Sequence, residues 1–424
     1  MHRHFTLYIA VAMLLGIAAG AWCHAAIQDP AALAALAGYL GVVTDAFLRL
    51  IKMIIAPLVF STLVTGIAHM GGSGALGRVG VRTLGWFLLA SLVSLLIGIA
   101  MVTLLAPGAA LALPLPAGTA ASGVETTHFS VKEFVGHLVP RSIAEAMASN
   151  EILQIVVFSA FFGGALGALG ERGRGLVTVL EQLVQVMLRV TAYVMLAAPF
   201  AVFAAIAATV AGRGLGILWT YGRFIGGFYL ALAVLWLTLL ALGGLVLRGR
   251  VLALVPMLRE PVLLAFSTAS SEAALPQTLK QLERFGVSAR IAGFVLPLGY
   301  SFNLDGSMMY CTFATLFIAQ AYGIALGFGQ QLTMLLLLMV TSKGMAGVPR
   351  ASLVVIAATL AHFGIPEAGL LLILAVDQFL DMGRSATNVV GNSIATAVVA
   401  RWEGELAEAQ PASAAGVSRA QSQW

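Results

Sequence analysis

The chain has 424 residues, of which 60% are hydrophobic and 10% charged, with a net charge of +5 and a mean hydropathy of +0.97. A soluble domain carries about 25% charged residues, so this composition excludes a soluble enzyme, a disordered chain and a nucleic-acid binder. A polytopic membrane protein remains, with room for about eight to twelve spans of roughly 20 apolar residues.

The first apolar run, Phe5 to Trp22, follows the basic start Met1-His2-Arg3-His4. It exceeds the apolar core of a signal peptide and reads as a first transmembrane helix, although residues 21–25 resemble a cleavage site. Further runs lie near 40–69, 84–106, 151–169, 177–211 and 217–247. From about residue 255 the texture changes. Ser, Gly, Pro, Asn and Asp interrupt the apolar stretches 258–278, 291–322, 332–362 and 368–400. Basic residues cluster at alternate ends: Arg3, Arg78 with Arg82, Arg172 with Arg174, Arg248 with Arg250, then Lys280, Arg284 and Arg290, and finally Arg401. The connections 25–38 and 107–127 hold no Lys or Arg, so the positive-inside rule places both termini in the cytoplasm. The Pro-containing segment 107–127 reads as an outside loop, and the polar tail from about Glu403 as disordered. Cys23 and Cys311 form neither a disulfide framework nor a metal motif, and the seven histidines show no ligand spacing. No cofactor is expected.

One internal repeat is visible. Thr268-Ala-Ser-Ser-Glu-Ala-Ala-Leu-Pro276 and Thr341-Ser-Lys-Gly-Met-Ala-Gly-Val-Pro349 share Thr, then Ala, a branched apolar residue and Pro. Each reads as the tip of a re-entrant hairpin. Such backbone is tolerated at membrane depth only when buried in protein or lining a cavity, and paired interrupted segments point to a transporter site.

The polar residues of the last helix carry the strongest signal. Asp377, Asp381, Arg384, Asn388 and Asn392 fall within an arc of about 80° at 100° per residue. Charges inside a span are costly, face a cavity and pair. An internal Asp381–Arg384 pair that merely joins helices is the plainer alternative. Asn303-Leu-Asp305-Gly306-Ser307 suggests a helix break whose carbonyls and carboxylate suit a cation. Ser270 and Ser271 at the first tip offer hydroxyls and N–H groups to a carboxylate, whereas Glu272 needs a basic neighbour or a proton. At the second tip, Gly344 to Arg350 reads as a thin flap, with Lys343 and Arg350 adding positive charge.

On these motifs the chain resembles the dicarboxylate/amino acid:cation symporters, the prokaryotic relatives of the glutamate transporters. The likeness rests on Ser-Ser before Leu-Pro, Asn-x-Asp-Gly, Ala-Gly-Val-Pro, and Asp381-Met-Gly-Arg384 with Asn388 beyond. Asn150 to Gly163 is similar to the family's fourth helix, and the resemblance spans about residues 5–403. It implies an all-α integral membrane fold of eight transmembrane helices plus two re-entrant hairpins, with inverted repeats, in a homotrimer. Residues 1–83 would hold scaffold helices one and two, and 84–127 helix three of the transport domain with the outside loop. Residues 128–212 would hold scaffold helices four and five. Residues 213–403 would complete the transport domain with helix six, hairpin one, helix seven, hairpin two and helix eight, leaving 404–424 as a disordered cytoplasmic tail. The transport domain would move like an elevator, with hairpin two as gate.

The resemblance also implies the roles. Asp381 meets a substrate ammonium, Arg384 a side-chain carboxylate, and Ser270 and Ser271 the main-chain carboxylate. Ser307, Ser385, Asn388, Gly347 and Val348 complete the pocket. The C4-dicarboxylate branch tends to lack an acid at the Asp381 position, so glutamate or aspartate comes first and C4-dicarboxylates second. The cation and proton group comprises Glu272, Gly299, Asn303, Asp305, Asp377 and Asn392. Here the chain departs from the sodium-driven pattern. Neutral Asn392 stands where that pattern has a carboxylate, and Ala90, beside Ser91, where it has a hydroxyl. Met345 and Leu304 also differ, with less consequence, because carbonyl ligands survive such changes. Proton coupling is therefore expected, with a residual sodium site at Asn303 and Asp305 left open. The proton carrier must be a carboxylate that holds a proton at working pH. Glu272 comes first, with Asp305 and Asp377 as alternatives. Two other classes are weaker. A channel lacks this pair of opposite charges matched to an amino acid, and an intramembrane aspartyl protease lacks its Gly-x-Gly-Asp context. Localisation in a bacterial inner membrane, among lipid, completes the expectation.

Overall fold

A computed structural model describes residues 5–68, 73–109, 139–214, 221–341, 351–374 and 376–407. Among them the chain is built from helices, and the only β feature is an isolated bridge between Val287 and Leu406. The longer helices are α1 (Phe5–Ala26), α2 (Pro30–Ala68), α3 (Ser73–Leu105), α4 (Ile152–Ala168), α5 (Arg174–Val194), α6 (Ala198–Arg213) and α7 (Gly222–Leu247). The second half is broken into more pieces, α8 (Arg250–Met257), α9 (Arg259–Thr268), α10 (Leu275–Phe285), α11 (Ala289–Phe302), α12 (Asp305–Ala321), α13 (Phe328–Thr341), α14 (Ala351–His362) and α15 (Leu370–Leu374), before the long last helix α16 (Asp377–Trp402).

Five stretches among the described residues are long and apolar enough to cross a membrane: Leu7–Ala26, Pro30–Ala68, Gly77–Leu105, Gly170–Gly212 and Gly222–Leu247. The pair α8–α9 adds a sixth only as a span bent by 50°. The 26 residues of α16 would cover roughly 39 Å, enough for a bilayer core, yet its polar stripe keeps it out of that apolar group. Large apolar side chains such as Phe161, Leu237 and Leu245 point outwards, as a lipid-facing surface allows.

Two packing features place the site. First, α1 lies close against α6. A Cβ on Gly16 would come within 2.8 Å of the Phe203 carbonyl, and one on Gly20 within 2.7 Å of the Ala207 carbonyl. These residues form a Gly-x-x-x-Gly pair, the small-residue spacing that lets membrane helices touch. Second, α16 is enclosed. It packs against α3, α7, α9, α10, α11 and α12, and every residue from Leu380 to Ala400 is buried. A helix wrapped on all sides can carry polar groups only if neighbouring elements satisfy them.

The first hairpin is α8–α9, a reversal, and α10. Ala269 adopts a left-handed conformation with φ +50. Its N–H donates to the Phe266 carbonyl and the Ser270 N–H to the Ala265 carbonyl at 3.2 Å, the paired bonds of a Schellman stop. A 3-10 turn, Glu272–Ala274, then leads into α10. In the second hairpin the arms α13 and α14 pack together. Its tip, residues 342–350, lies outside the described residues, as do Lys343, Met345, Gly347, Val348 and Arg350 with it.

The last described residues are tied to the helices. Glu403 pairs with Arg78 and Arg82 of α3, and Glu405 with Arg290 of α11. The Glu405 carbonyl accepts from Ser288 N at 3.0 Å, Ala407 N donates to the Gly286 carbonyl at 2.8 Å, and Arg250 reaches the Ala407 carbonyl at 2.8 Å. Three arginines on two glutamates, a fourth on the Ala407 carbonyl and two backbone bonds thus hold residues 403–407 in place, a pattern that composition alone does not reveal.

Candidate functional site

The five stripe residues of α16 are all 0–1% exposed. Their partners divide them into three groups along the helix.

The central group is built around Arg384. Its Nη2 pairs with Asp381 Oδ1 across one turn. Its Nη1 donates to Ser307 Oγ at 3.1 Å and to Ser352 Oγ at 2.8 Å. Asn388 Nδ2 donates to Ser307 Oγ at 3.1 Å, while its Oδ1 accepts from the N–H groups of Gly306 at 2.9 Å and Ser307 at 3.3 Å. Those amides open α12, where helix geometry leaves donors without intrahelical acceptors. Asn388 therefore caps α12 from another helix and fixes Ser307 beside Arg384.

The second group lies where the chain leaves helical geometry, at Asn303 (φ −130, ψ 62) and Leu304 (φ −93, ψ 69). Asp305 Oδ2 accepts from Asn303 Nδ2 at 2.9 Å, and Oδ1 from Ser94 Oγ at 3.2 Å. The same Asn303 Nδ2 donates to Asn392 Oδ1 at 3.2 Å. A Cβ on Gly391 would overlap the Asp305 carboxylate, and one on Gly299 the Asn392 amide. Asn303 Oδ1 and Asn392 Nδ2, both buried, have no hydrogen-bond partner among the described residues. No group of three or more His, Cys, Asp or Glu residues fit for a metal ion occurs among the described residues. The oxygen-rich donor set of one carboxylate, amides and a hydroxyl suits a hard monovalent cation or a proton as cargo. In the third group Tyr310 OH donates to Asp377 Oδ1 at 2.8 Å.

The first hairpin tip borders the central group. Ala269 shares an apolar cluster with Met382, and Ala274 one with Val389, and both arms of the hairpin pack on α16, which sets the tip near the turns that carry Asp381 to Asn388. Ser270 Oγ accepts from Ala273 N at 3.4 Å. Ser271 Oγ and Ser385 Oγ are buried and have no hydrogen-bond partner among the described residues. Glu272 is buried at the start of the 3-10 turn, and that turn packs against α2.

The structure therefore gathers Ser307, Asp381, Arg384 and Asn388 in one group and Gly299, Asn303, Asp305 and Asn392 in another. Ser94, Ser352 and Tyr310 escaped sequence reasoning. Ser94 lies one turn beyond Ala90, close enough to bring its hydroxyl to Asp305. Ser352 had no signal, because a lone Ser after a Gly/Pro-rich tip looks like part of the loop. In the α16 pair, Asp381 and Arg384 hold opposite charges out of water and neutralise each other. A ligand bearing both an ammonium and a carboxylate offers each charge a replacement partner.

Residues 5–402 match the sodium:dicarboxylate symporter family. The chain belongs to that family. It is 39% identical to a proton/sodium-glutamate symport protein of Bacillus caldotenax, with 94% of each chain covered. It is 41% identical to the proton/glutamate-aspartate symporter of Escherichia coli K12, covering 93% of this chain and 92% of the relative. It is also 42% identical to a C4-dicarboxylate transport protein of Anaeromyxobacter sp. strain K, covering 86% of this chain and 84% of the relative. This symporter is thus an all-α integral membrane transporter, not an enzyme, and it resembles both kinds of relative to a similar degree.

Proposed function

We propose that this symporter takes up an acidic amino acid, glutamate or aspartate, together with protons. The observation that carries the reading is the buried Asp381–Arg384 pair, bordered by Ser307 and Asn388, together with the buried hydroxyls of Ser271 and Ser385, which have no hydrogen-bond partner among the described residues. An amino acid would bring its ammonium to Asp381, its side-chain carboxylate to Arg384 and its main-chain carboxylate to the first hairpin tip. Gly347 and Val348 of the second tip would close over it. The C4-dicarboxylate relatives support a second reading, in which Asp381 does no more than neutralise Arg384.

Proton coupling rests on the second polar group. Asn392 contributes a neutral amide beside Asn303 and Asp305, so the group holds one carboxylate where a sodium site gains from two. Glu272 is our first choice of carrier. It sits where the hairpin meets α2, a boundary that would change its hydration if residues 84–127 and 213–403 move as a transport domain against a scaffold of 1–83 and 128–212. That movement, an elevator within a homotrimer, belongs to the proposal, as do cytoplasmic termini and a bacterial inner membrane.

Uptake of labelled L-aspartate, L-glutamate and succinate into proteoliposomes tests the reading, with inward pH and sodium gradients compared at clamped voltage. Amino-acid uptake driven by the pH gradient alone is expected. Dependence on sodium would instead put a working cation site at Asn303 and Asp305, and uptake of succinate alone would move the chain to the dicarboxylate branch. Glu272→Gln should abolish accumulation driven by the pH gradient yet keep substrate exchange. Continued accumulation by that variant would remove Glu272 from the mechanism.

A further inference from the structure

Arg384 Nη1 carries two hydrogens, and both are engaged: one by Ser307 Oγ at 3.1 Å, the other by Ser352 Oγ at 2.8 Å. Nη2 faces Asp381. A carboxylate that docks as a fork on the Nη1–Nη2 edge needs one N–H from each nitrogen, and since both hydrogens of Nη1 are engaged, a present partner must give way there. The two hydroxyls differ in how they are held. Ser307 sits in the first turn of α12, and its Oγ also accepts from Asn388 Nδ2 while Asn388 Oδ1 takes its N–H. Ser352 comes from another element, α14, and it is fully buried. Breaking Ser307 away would disturb the α12 cap; moving Ser352 disturbs no backbone cap and gives up only its side-chain bond to Cys311 of α12.

The geometry points to Ser352 as a positioning residue that occupies Arg384 until a substrate carboxylate displaces it. The inference rests on the reading in which Arg384 receives a carboxylate. Its hydroxyl is a neutral stand-in for the ligand. It satisfies a buried N–H that would otherwise be costly to leave unpaired, and it sets a threshold that a charged acceptor can exceed. The consequence runs against the usual expectation for a residue in a binding site. Removing the hydroxyl should tighten substrate binding, because the ligand no longer has to break a bond that already exists.

The test is equilibrium binding to the purified full-length protein, measured calorimetrically for L-glutamate, L-aspartate and succinate, alongside uptake kinetics. Ser352→Ala should lower Kd for every one of these that the wild type binds, by about three- to tenfold, the net worth of one hydrogen bond. KM should fall without a rise in kcat. Ser352→Thr, which restores a hydroxyl, should return Kd to the wild-type value, and Ser352→Gly should follow Ala should the Ala variant fold poorly. Unchanged or weaker binding in both Ala and Gly variants would overturn the proposal, since a merely structural serine gives that result. Arg384→Ala serves as the control for the underlying reading. Loss of binding of all three ligands is expected. Retention of acidic ligands by that variant would refute both the role of Arg384 and the inference built on it, and would do so independently of the Ser352 results.

Discussion

Asp381→Asn separates the amino-acid reading from the dicarboxylate one. The substitution keeps size and shape but removes a charge from a fully buried carboxylate that faces Arg384 one turn away. Two effects follow. A substrate ammonium loses a charge-assisted hydrogen bond, about 1.5–3 kcal/mol, which is roughly ten- to a hundredfold in affinity. Arg384 also loses its intrahelical counter-charge, which leaves it more attractive to an incoming carboxylate. The two effects oppose one another for glutamate and aspartate, but succinate, with no ammonium, feels only the second. The expected result is a weaker amino-acid affinity with succinate affinity unchanged or improved. Competition by each ligand against a labelled substrate, in detergent and in proteoliposomes, measures the ratio directly. Should amino acids and succinate weaken by the same factor, Asp381 would act only by holding Arg384 in place, and its assignment to the substrate ammonium would be wrong. Parallel melting curves separate that result from unfolding, since a buried guanidinium deprived of its partner destabilises the fold as well.

Three further substitutions probe the surroundings. Asn392→Asp places a second carboxylate beside Asn303 and Asp305, where the present amide lies 3.2 Å from Asn303; uptake should become stimulated by sodium, and a titration of initial rate against sodium reads it. Gly391→Ala puts a methyl group into the Asp305 carboxylate, an overpacking that costs about 1–3 kcal/mol; uptake should fall and Tm drop although no substrate contact changes, as uptake rates and thermal melts would show. Glu403→Ala removes a carboxylate with 3% side-chain exposure shared by Arg78 and Arg82; because those arginines are partly solvated, the loss should be only about 1 kcal/mol, seen as a small fall in Tm with KM unchanged.

Much of the site was legible because charge is so rare in this chain. In a sequence with 10% charged residues, an Asp or Arg inside an apolar run stands out, and helical spacing alone aligns Asp377, Asp381, Arg384, Asn388 and Asn392. The interruption at Asn303 and Leu304 was legible for a related reason, since Asn-x-Asp-Gly opposes helix continuation. What the spacing did not give was which neighbour each group meets. It aligned the five residues as one stripe, whereas packing divides them between Ser307 and Ser352, Asn303 and Asp305, and Tyr310. Such partners come from distant parts of the chain, and hydroxyl residues are common enough in membrane helices that Ser94 and Ser352 carry no local signal. The Gly16–Gly20 contact with α6 was hidden similarly, because 46 glycines offer many spacings and only the fold selects one.

The division of the stripe has a consequence for coupling. Ser307 and Asp305 lie two residues apart at the start of α12, one joined to Arg384 and the other to Asn303 and Ser94. Asn388 and Asn392, one turn apart on α16, contact the same two groups. The proposed substrate and cation sites thus share two short helical segments, the first turn of α12 and one turn of α16. A ligand that shifts Ser307 must move the first turn of α12, and Asp305 belongs to that turn. Coupling between the sites therefore requires no long relay, only that α12 and α16 move as units. On this argument Gly391 matters as the residue that lets the two segments touch, and its substitution should uncouple uptake from the ion gradient more than it weakens substrate binding.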